Sequence, residues 1–351
     1  MKKVSTLVFL LVTMILYANR DTISMRVFGK IMESRLTVSL SIDLVDGLHV
    51  GLCGAGSPLP DPARSAPCTL VIAGSHHFLF DAGHTGNIGL MGFTPGKLDA
   101  VFLTHFHSDH IGDLGEIAMQ RWVSANHTSP LPVYGPVGVQ TIVNGFNQAY
   151  SSDSFYRTAH HGEAIAPTAG KGLIAKPFLA RGEEKFIIYQ DGDTTISAFK
   201  VGHAPVEPSV GYRIDYKGRS VLISGDTVKT NSVMTSAKNV DLLIHEGLSK
   251  RLVKIAENSA KAVGQKTMAK IFYDIQDYHT DPEEAAELAQ KAGVRHLVFT
   301  HIVPMLPLPG MKKAFLGKSD EIFDGPITIG QDGDFFSLPA GSDQIVIDNR
   351  L

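Results

Sequence analysis

Read by its apolar and polar positions, the chain is a series of short apolar runs, each stopped by a turn and several delivering a histidine or carboxylate. Residues 48–52 read as a strand running into the turn Gly51-Leu52-Cys53-Gly54-Ala55-Gly56-Ser57-Pro58, where glycine admits positive φ. Residues 69–73 and 77–80 are runs of strand length split by a Gly-Ser turn, and Asp81-Ala82-Gly83-His84 closes the second. A further run over 98–103 leads to Thr104. Strands are expected again over 194–201 and 209–216, then over 219–224 after the hairpin turn Lys217-Gly218, and over 240–244 and 294–300. A helix is predicted over 282–291, with Asp281 as N-cap, Pro282 in the first position, Glu284 completing a capping box and Gly293 past the end. Between 111 and about 200 the pattern loosens, broken by Pro130, Pro132, Gly135-Pro136, Gly170 and Gly172. An insertion covering or flanking a site has this look.

Met1-Lys2-Lys3 followed by an apolar run over 4–17 has the charged and apolar regions of a secretory signal. That run is shorter than the roughly 20 residues that span a bilayer. Residues 1–18 are therefore expected to be a signal peptide, or an anchor if uncleaved, and the location periplasmic or secreted. Residues 19–351 are expected to form one domain with an insertion at about 111–200, since no repeat or linker divides them. At 351 residues and 44% hydrophobic content the chain can bury a large core. A formal net charge of −3 gives no global basic field of the kind that marks a dedicated nucleic-acid binder, although a local patch stays open. Cys53 and Cys68 are the only cysteines: in an oxidising compartment they could pair, and they could equally be reduced core residues. With no Cys-x-x-Cys, sulfur is not expected as a metal ligand.

The chemistry begins at Thr104-His105-Phe106-His107-Ser108-Asp109-His110. In an extended segment His105 and His107 point to one side, and the turn that follows brings Asp109 and His110 round to face them. Imidazole and carboxylate suit a borderline cation. Four more polar sites sit where apolar runs end: His203, Asp226, His245 with Glu246, and His301. Strand ends gathered on one rim of a sandwich are a natural place to assemble a site. His160-His161, with Arg157 nearby, reads as an exposed pair in preference to a third metal site or a substrate clamp. Trp122 and Lys312-Lys313 read as structure or solvated surface.

The His-x-His-x-Asp-His motif, His203, Gly225-Asp226-Thr227 and His301 together resemble the ordered ligand series of the metallo-β-lactamase superfamily. The chain is more closely similar to the branch of ribonuclease Z and arylsulfatase-like proteins. The turn Gly54 to Pro58, the strand end Phe80-Asp81-Ala82-Gly83, the stretch Pro208 to Arg213, His245-Glu246 and His279-Thr280 all have counterparts there. The resemblance implies an α/β fold, a four-layer αββα sandwich with metals at one edge, and two divalent ions, zinc by default. It assigns His105, His107 and His203 to one ion and Asp109, His110 and His301 to the other, with Asp226 bridging. It further implies a metallo-hydrolase acting on ester bonds by a hydroxide held between the ions and oriented by Asp109. Glu246 and His279 would then pass a proton to the leaving alkoxide.

Transfer-RNA processing enzymes of that branch carry a long flexible arm between the histidine matching His203 and the Gly-Asp-Thr triplet. Here little more than a hairpin over 209–224 joins them. With the signal and the acidic balance, the expectation is an exported phosphodiesterase or arylsulfatase-type enzyme. Its substrate would be a small-molecule ester in preference to RNA, with no stable nucleic-acid partner and a homodimer allowed. A lactonase or β-lactamase-type acyl hydrolase is the alternative among enzymes, and a non-catalytic metal-holding module the alternative outside them.

Overall fold

A computed structural model describes residues 13–40 and 44–351 of the chain, which divides into two compact units, 1–43 and 44–351. In the first unit residues 13–18 are helical and α1 (Arg20–Leu40) follows, its apolar residues scattered around the helix with no single apolar face. The first twelve residues of the expected signal peptide lie outside the described residues. No helix among the described residues is long and apolar enough to cross a membrane.

In the second unit the alternation of apolar residues produces two sheets. One has eight strands: β1 (Gly47–Gly54), β2 (Cys68–Ala73), β3 (His76–Phe80), β4 (Leu98–Phe102), β5 (Leu131–Pro136), β6 (Leu173–Phe178), β14 (Asp334–Pro339) and β15 (Val346–Asn349), in the order β15-β14-β1-β2-β3-β4-β5-β6. The other has seven: β7 (Phe186–Asp191), β8 (Thr194–Lys200), β9 (Val210–Tyr216), β10 (Arg219–Ile223), β11 (Leu242–Leu248), β12 (His296–Val303) and β13 (Ile327–Ile329), in the order β13-β12-β11-β10-β9-β8-β7.

Period-two patterning assigns each face. Leu48, Val50 and Leu52 of β1 meet Ile196, Ala198, Val221, Ile223, Leu242, Ile244 and Val298 in the core between the sheets. The alternate residues Phe199, Leu222, Leu243, Leu297 and Phe299 face outward, into a second core against helix α7 (Pro282–Ala292). Strands buried on both faces read as near-continuous apolar runs, which is why β10 to β12 are legible as such. The fold is an αββα sandwich, and the Asp281–Glu284 capping box and Gly293 terminus of α7 stand as the sequence predicts.

The stretch 111–200 differs from the insertion expected of it. It supplies helices α2 (Leu114–Ser124), α3 (Val139–Ala149) and α4 (Ser151–His161), and its strands β5 to β8 extend both sheets. Pro132 and Pro136 lie within β5, so prolines that suggest breaks in one dimension are tolerated in a short strand near the sheet edge.

Cys53 and Cys68 are bonded to each other. The β1–β2 register passes from Leu52↔Thr69 to Gly54↔Cys68, so Cys53 is the extra residue of a bulge beside its partner. The bond closes a loop of 15 residues that includes Ser57, Pro58 and Leu59 of the pocket described below. Closing a loop of that size is worth about 3 kcal/mol by chain entropy. The double variant Cys53→Ala/Cys68→Ala is expected to lose about that much in urea unfolding, read from the midpoint at unchanged slope.

Candidate metal centre

β8, β10, β11 and β12 run in one direction; His105, His203 and Asp226 follow the carboxyl ends of β4, β8 and β10, while Glu246 and His301 lie in the carboxyl-terminal halves of β11 and β12. His105 and His107 leave β4, and Ser108 to Ile111 make one helical turn that swings Asp109 and His110 towards them. That loop is braced from the β3 end: Ala82 N–H donates to the His110 carbonyl and Asp113 N–H to the Ala82 carbonyl. A Cβ on Gly83 would lie 1.7 Å from the Asp109 carbonyl oxygen, so only glycine allows this approach. His301 reaches the site by another route. The β11–β12 register passes from Glu246↔Thr300 to Gly247↔Ile302, leaving His301 as an extra residue at φ 48° whose side chain is turned to the rim.

The structure brings all seven predicted ligand residues together. One atom each from His105, His107, His203 and Asp226 lies within 4.8 Å of the others, and so do atoms from Asp109, His110 and His301. Asp226 Oδ2 sits between the groups, 3.8 Å from Nε2 of His105 and of His203, 3.4 Å from that of His110 and 3.3 Å from that of His301. Asp109 Oδ2 lies 3.5 Å from His110 Nε2 and 3.4 Å from His301 Nε2.

Hydrogen bonds behind the cluster fix which nitrogens face it. His110 Nδ1–H donates to Asp81 Oδ2 at 2.8 Å, and His203 Nδ1–H to the Tyr278 carbonyl at 2.9 Å. Thr104 donates its hydroxyl to Asp81, so its oxygen accepts from His105 Nδ1–H at 3.0 Å. Each imidazole is thereby held with its Nε2 pointing inward. His105 Nε2 faces His107 Nδ1 at 3.0 Å, a spacing that suits two lone pairs directed at one cation.

Asp109 Oδ2 and the Nε2 atoms of His110, His203 and His301 are buried without a hydrogen-bond partner. Groups left this way cost about 1–3 kcal/mol each unless something else satisfies them. Buried nitrogen lone pairs interleaved with carboxylates are a ligand set for divalent cations, and the residues fit that role. Burial lowers His203 to about 4, which keeps it neutral and able to ligate at neutral pH. Burial alone would raise the Asp226 carboxyl, but the imidazoles of His301 and His110 outweigh it and hold the group well below its usual range.

Asp81 and Thr104 were not among the predicted site residues; their signal was the strand-end Asp-Ala-Gly and the Thr that opens the histidine motif. Asp81 accepts from Thr104 N–H, Thr104 hydroxyl and His110, so it orients two imidazoles at once. Asp81→Asn, which tolerates the positive φ at this position, is expected to weaken metal binding by about 10–100-fold in a chelator competition.

Beside the cluster, Glu246 and His279 face each other, with His279 Nδ1 3.3 Å from Glu246 Oε1. Glu246 Oε1 also accepts from Thr280 N–H at 2.8 Å, which ties the residue after His279 to the carboxyl. Burial raises Glu246 well above its usual range, helped by the charge of Asp226, and lowers His279 to about 4. Both shifts favour a neutral pair with the proton on the carboxyl. His245 points away, its Nδ1 on the Glu246 carbonyl, fully buried and outside the ligand clusters. His160 and His161 end α4 on the exposed surface, Arg157 pairs with Asp153, and none of the three lines the pocket.

The cluster opens into a cavity of about 250 Å³. His107, Asp109, Asp226, His279 and His301 form its polar side. The wall is apolar, made by Leu59, Ile271, Ile275, Tyr278 and Val303, none of which the sequence singled out.

A sequence model of the metallo-beta-lactamase superfamily matches residues 61–263, and the chain belongs to that superfamily; it is a metallo-hydrolase. Its relatives include proteins named Ribonuclease Z. That of Mycolicibacterium gilvum (strain PYR-GCK) is 35% identical over 289 residues, covering 81% of this chain and 94% of the relative. That of Mycobacterium bovis (strain BCG / Pasteur 1173P2) is 36% identical over 290 residues, covering 81% and 96%. Among solved structures, the metallo-beta-lactamase fold protein YhfI from Bacillus subtilis aligns with TM-score 0.60 at 22% identity, covering 84% of this chain and all of that one. Human tRNase Z, short form, aligns with TM-score 0.57 at 21% identity, covering 83% and 99%. At these identities the structures share the fold.

The ribonuclease relatives overturn the expectation of a small-molecule ester substrate with no nucleic-acid partner. The short link between His203 and Asp226 had argued against RNA. Yet an alignment of 289–290 residues against 81% of a 351-residue chain leaves those relatives room for only a handful of extra residues. A long arm is therefore not what separates this chain from proteins bearing the ribonuclease name.

Proposed function

We propose that the chain is a two-metal phosphodiesterase that cuts RNA, a ribonuclease of the ribonuclease Z kind. The observation that carries this reading is the Glu246–His279 pair set directly against the seven converging ligands, because a poor alkoxide leaving group such as a ribose oxygen needs a proton. Identity of 35–36% to ribonucleases Z over 81% of the chain supports it. His105, His107 and His203 would hold one cation, Asp109, His110 and His301 the other, and Asp226 both; zinc matches the donor set. Bound there, the cations supply positive charge to the phosphoryl group and lower the pKa of water.

The chain's own residues do the rest. Asp109, with one oxygen unpaired and on the pocket side, orients the attacking water. His279, also on the pocket surface, gives up a proton to the leaving oxygen and is resupplied from the carboxyl of Glu246. The test is to incubate metal-quantified protein with a 3′-extended transfer-RNA precursor and with DNA of the same sequence. Cleavage of the RNA is expected. Protein carrying two metal equivalents that hydrolyses bis-p-nitrophenyl phosphate but leaves the RNA intact would refute the reading.

Independently of the reaction, we propose that residues 1–18 direct export, which the Cys53–Cys68 bond supports because disulfides persist in oxidising compartments. Mass spectrometry of the N-terminus in fractionated cells tests this: a chain found only in the cytoplasm and still starting at Met1 counts against it.

A further inference from the structure

Net charge conceals a concentrated field beside the pocket. Helices α5 (Lys250–Ala262) and α6 (Lys266–Asp274) pack on each other and carry Lys250, Arg251, Lys254, Lys261, Lys266 and Lys270. The acids of this stretch are Glu257 and Asp274, so residues 250–274 sum to +4 in a chain whose total is −3; Asp274 pairs with Lys270, and Glu284 of α7 with Lys250. Glu257 is fully buried and shared by Lys254 and Lys261, whose side chains stay 51% and 57% exposed. Lys266 is exposed and forms no ion pair among the described residues.

At the start of α6 the placement runs against helix stability. Neither α5 nor α6 has an acidic residue of its own in its first turn and each opens on a cation; at α5 the Asp281 carboxylate accepts from Lys250 N–H and Glu284 pairs with Lys250 Nζ, whereas Lys266 at the start of α6 forms no ion pair among the described residues. An unpaired cation there destabilises a helix end that an acid would stabilise. α7, on the far side of the pocket entrance residues 275–280, follows the stabilising rule with Glu283 and Glu284. A local rule broken at α6 without a compensating acid points to a function for the charge.

The helix that bears the charge also builds the pocket. Ile271, in α6, and Ile275, just past it, form part of the apolar wall. Lys270 adjoins Ile271, and Lys266 lies about 7.5 Å from it along the axis at 1.5 Å per residue. Tyr273 on the same helix is 59% exposed, with Lys270 Nζ 5.8 Å from its ring centre. A lysine row with an exposed aromatic ring is the arrangement that holds a single-stranded backbone while a base stacks.

We infer that α5–α6 is a docking platform for single-stranded RNA flanking the scissile phosphate, with Lys266 and Lys270 on phosphates and Tyr273 beneath a base. The inference rests on the ribonuclease reading for its partner. It supplies this chain with an electrostatic grip close to the pocket.

The test uses the full, metal-loaded chain and its variant Lys266→Glu/Lys270→Glu. Equilibrium binding of a short, hydrolysis-resistant phosphorothioate RNA is measured by anisotropy across a salt series. The variant is expected to bind about tenfold more weakly near 0.1 M salt. The slope of log affinity against log salt should fall by about 1.4, two contacts at roughly 0.7 each. Lys266→Arg/Lys270→Arg should keep both affinity and slope, and hydrolysis of bis-p-nitrophenyl phosphate should be unchanged in either variant. Equal affinity and slope in wild type and the glutamate variant overturn the inference. So does a variant that keeps RNA binding but loses sedimentation with phosphatidylserine vesicles, which would make the face a membrane contact. RNA that binds with the expected slope yet is never cut refutes the ribonuclease reading and leaves the platform standing.

Discussion

Asp226→Asn is expected to fold, to lose most of its bound metal, and to hydrolyse phosphodiesters at least about a thousandfold more slowly than wild type. One carboxylate oxygen lies 3.3–3.8 Å from four imidazole nitrogens drawn from both ligand groups. The substitution keeps the shape but removes the charge and sets an amide among buried lone pairs. Loss of a single preorganised electrostatic group costs about 10²–10³ in rate, and Asp226 serves both clusters, which places the expected loss at the upper end. Metal content by plasma emission spectrometry and kcat on bis-p-nitrophenyl phosphate check the two halves separately. A variant that retained both metals and more than a tenth of the activity would show that the two groups are not bridged. Thermal stability sharpens the comparison: removing metal with a chelator should lower the wild-type Tm, because cations that bind only the folded state stabilise it, and should lower that of the variant much less.

Much of this centre is legible in the chain because its ligands sit at the ends of strands that are themselves legible. The runs that become β4, β8, β10 and β11 end within a few residues of His105, His203, Asp226 and Glu246. Buried parallel strands announce themselves by continuous hydrophobicity, so the chemistry that follows them stands out. Two strands differ in detail: β11 runs past His245 and Glu246 to Leu248, and β12 continues past His301 to Val303 through the bulge that turns the imidazole inward. A one-residue slip of register leaves no mark on composition.

What the sequence hides is whatever depends on pairings distant along the chain. β14 lies beside β1, with Gly47 opposite Pro339, and completes a sheet that local pattern leaves open. The stretch 111–200 reads as broken because its strands are short and its helices amphipathic, yet β5 and β6 simply continue the parallel run after β4. The apolar pocket wall comes from Leu59, the α6 region and the end of β12, three places with nothing in common until folded. Charge is hidden differently. A total of −3 averages over 351 residues and says nothing of the +4 gathered on 250–274, which is how an acidic balance is compatible with the proposed RNA substrate. Phosphate recognition depends on the local field within roughly a Debye length, about 10 Å at 0.1 M salt, not on the sum.

His279→Ala separates the work of the cations from the work of the proton. His279 lies on the pocket surface, stacked at 5.3 Å on His301 and 3.3 Å from Glu246, but belongs to neither of the two groups that surround Asp226 with the first histidines. If its part is to protonate the leaving oxygen, its loss should cost RNA cleavage about 10²–10⁴-fold, the usual worth of a positioned acid. The same variant should hydrolyse bis-p-nitrophenyl phosphate within about threefold of wild type, because nitrophenolate departs without a proton and gains little from such an acid. Metal content should stay near the wild-type value in either case. Glu246→Gln should follow the same leaving-group pattern, since burial keeps the stored proton on that carboxyl and an amide cannot release it. An equal loss on both substrates, accompanied by a fall in bound metal, would instead make His279 a ligand. That outcome has a structural basis to be excluded, because Asp226, His279 and His301 also offer atoms within 4.8 Å of one another. The difference between the two substrates, not the size of either loss, is therefore what decides the role of His279.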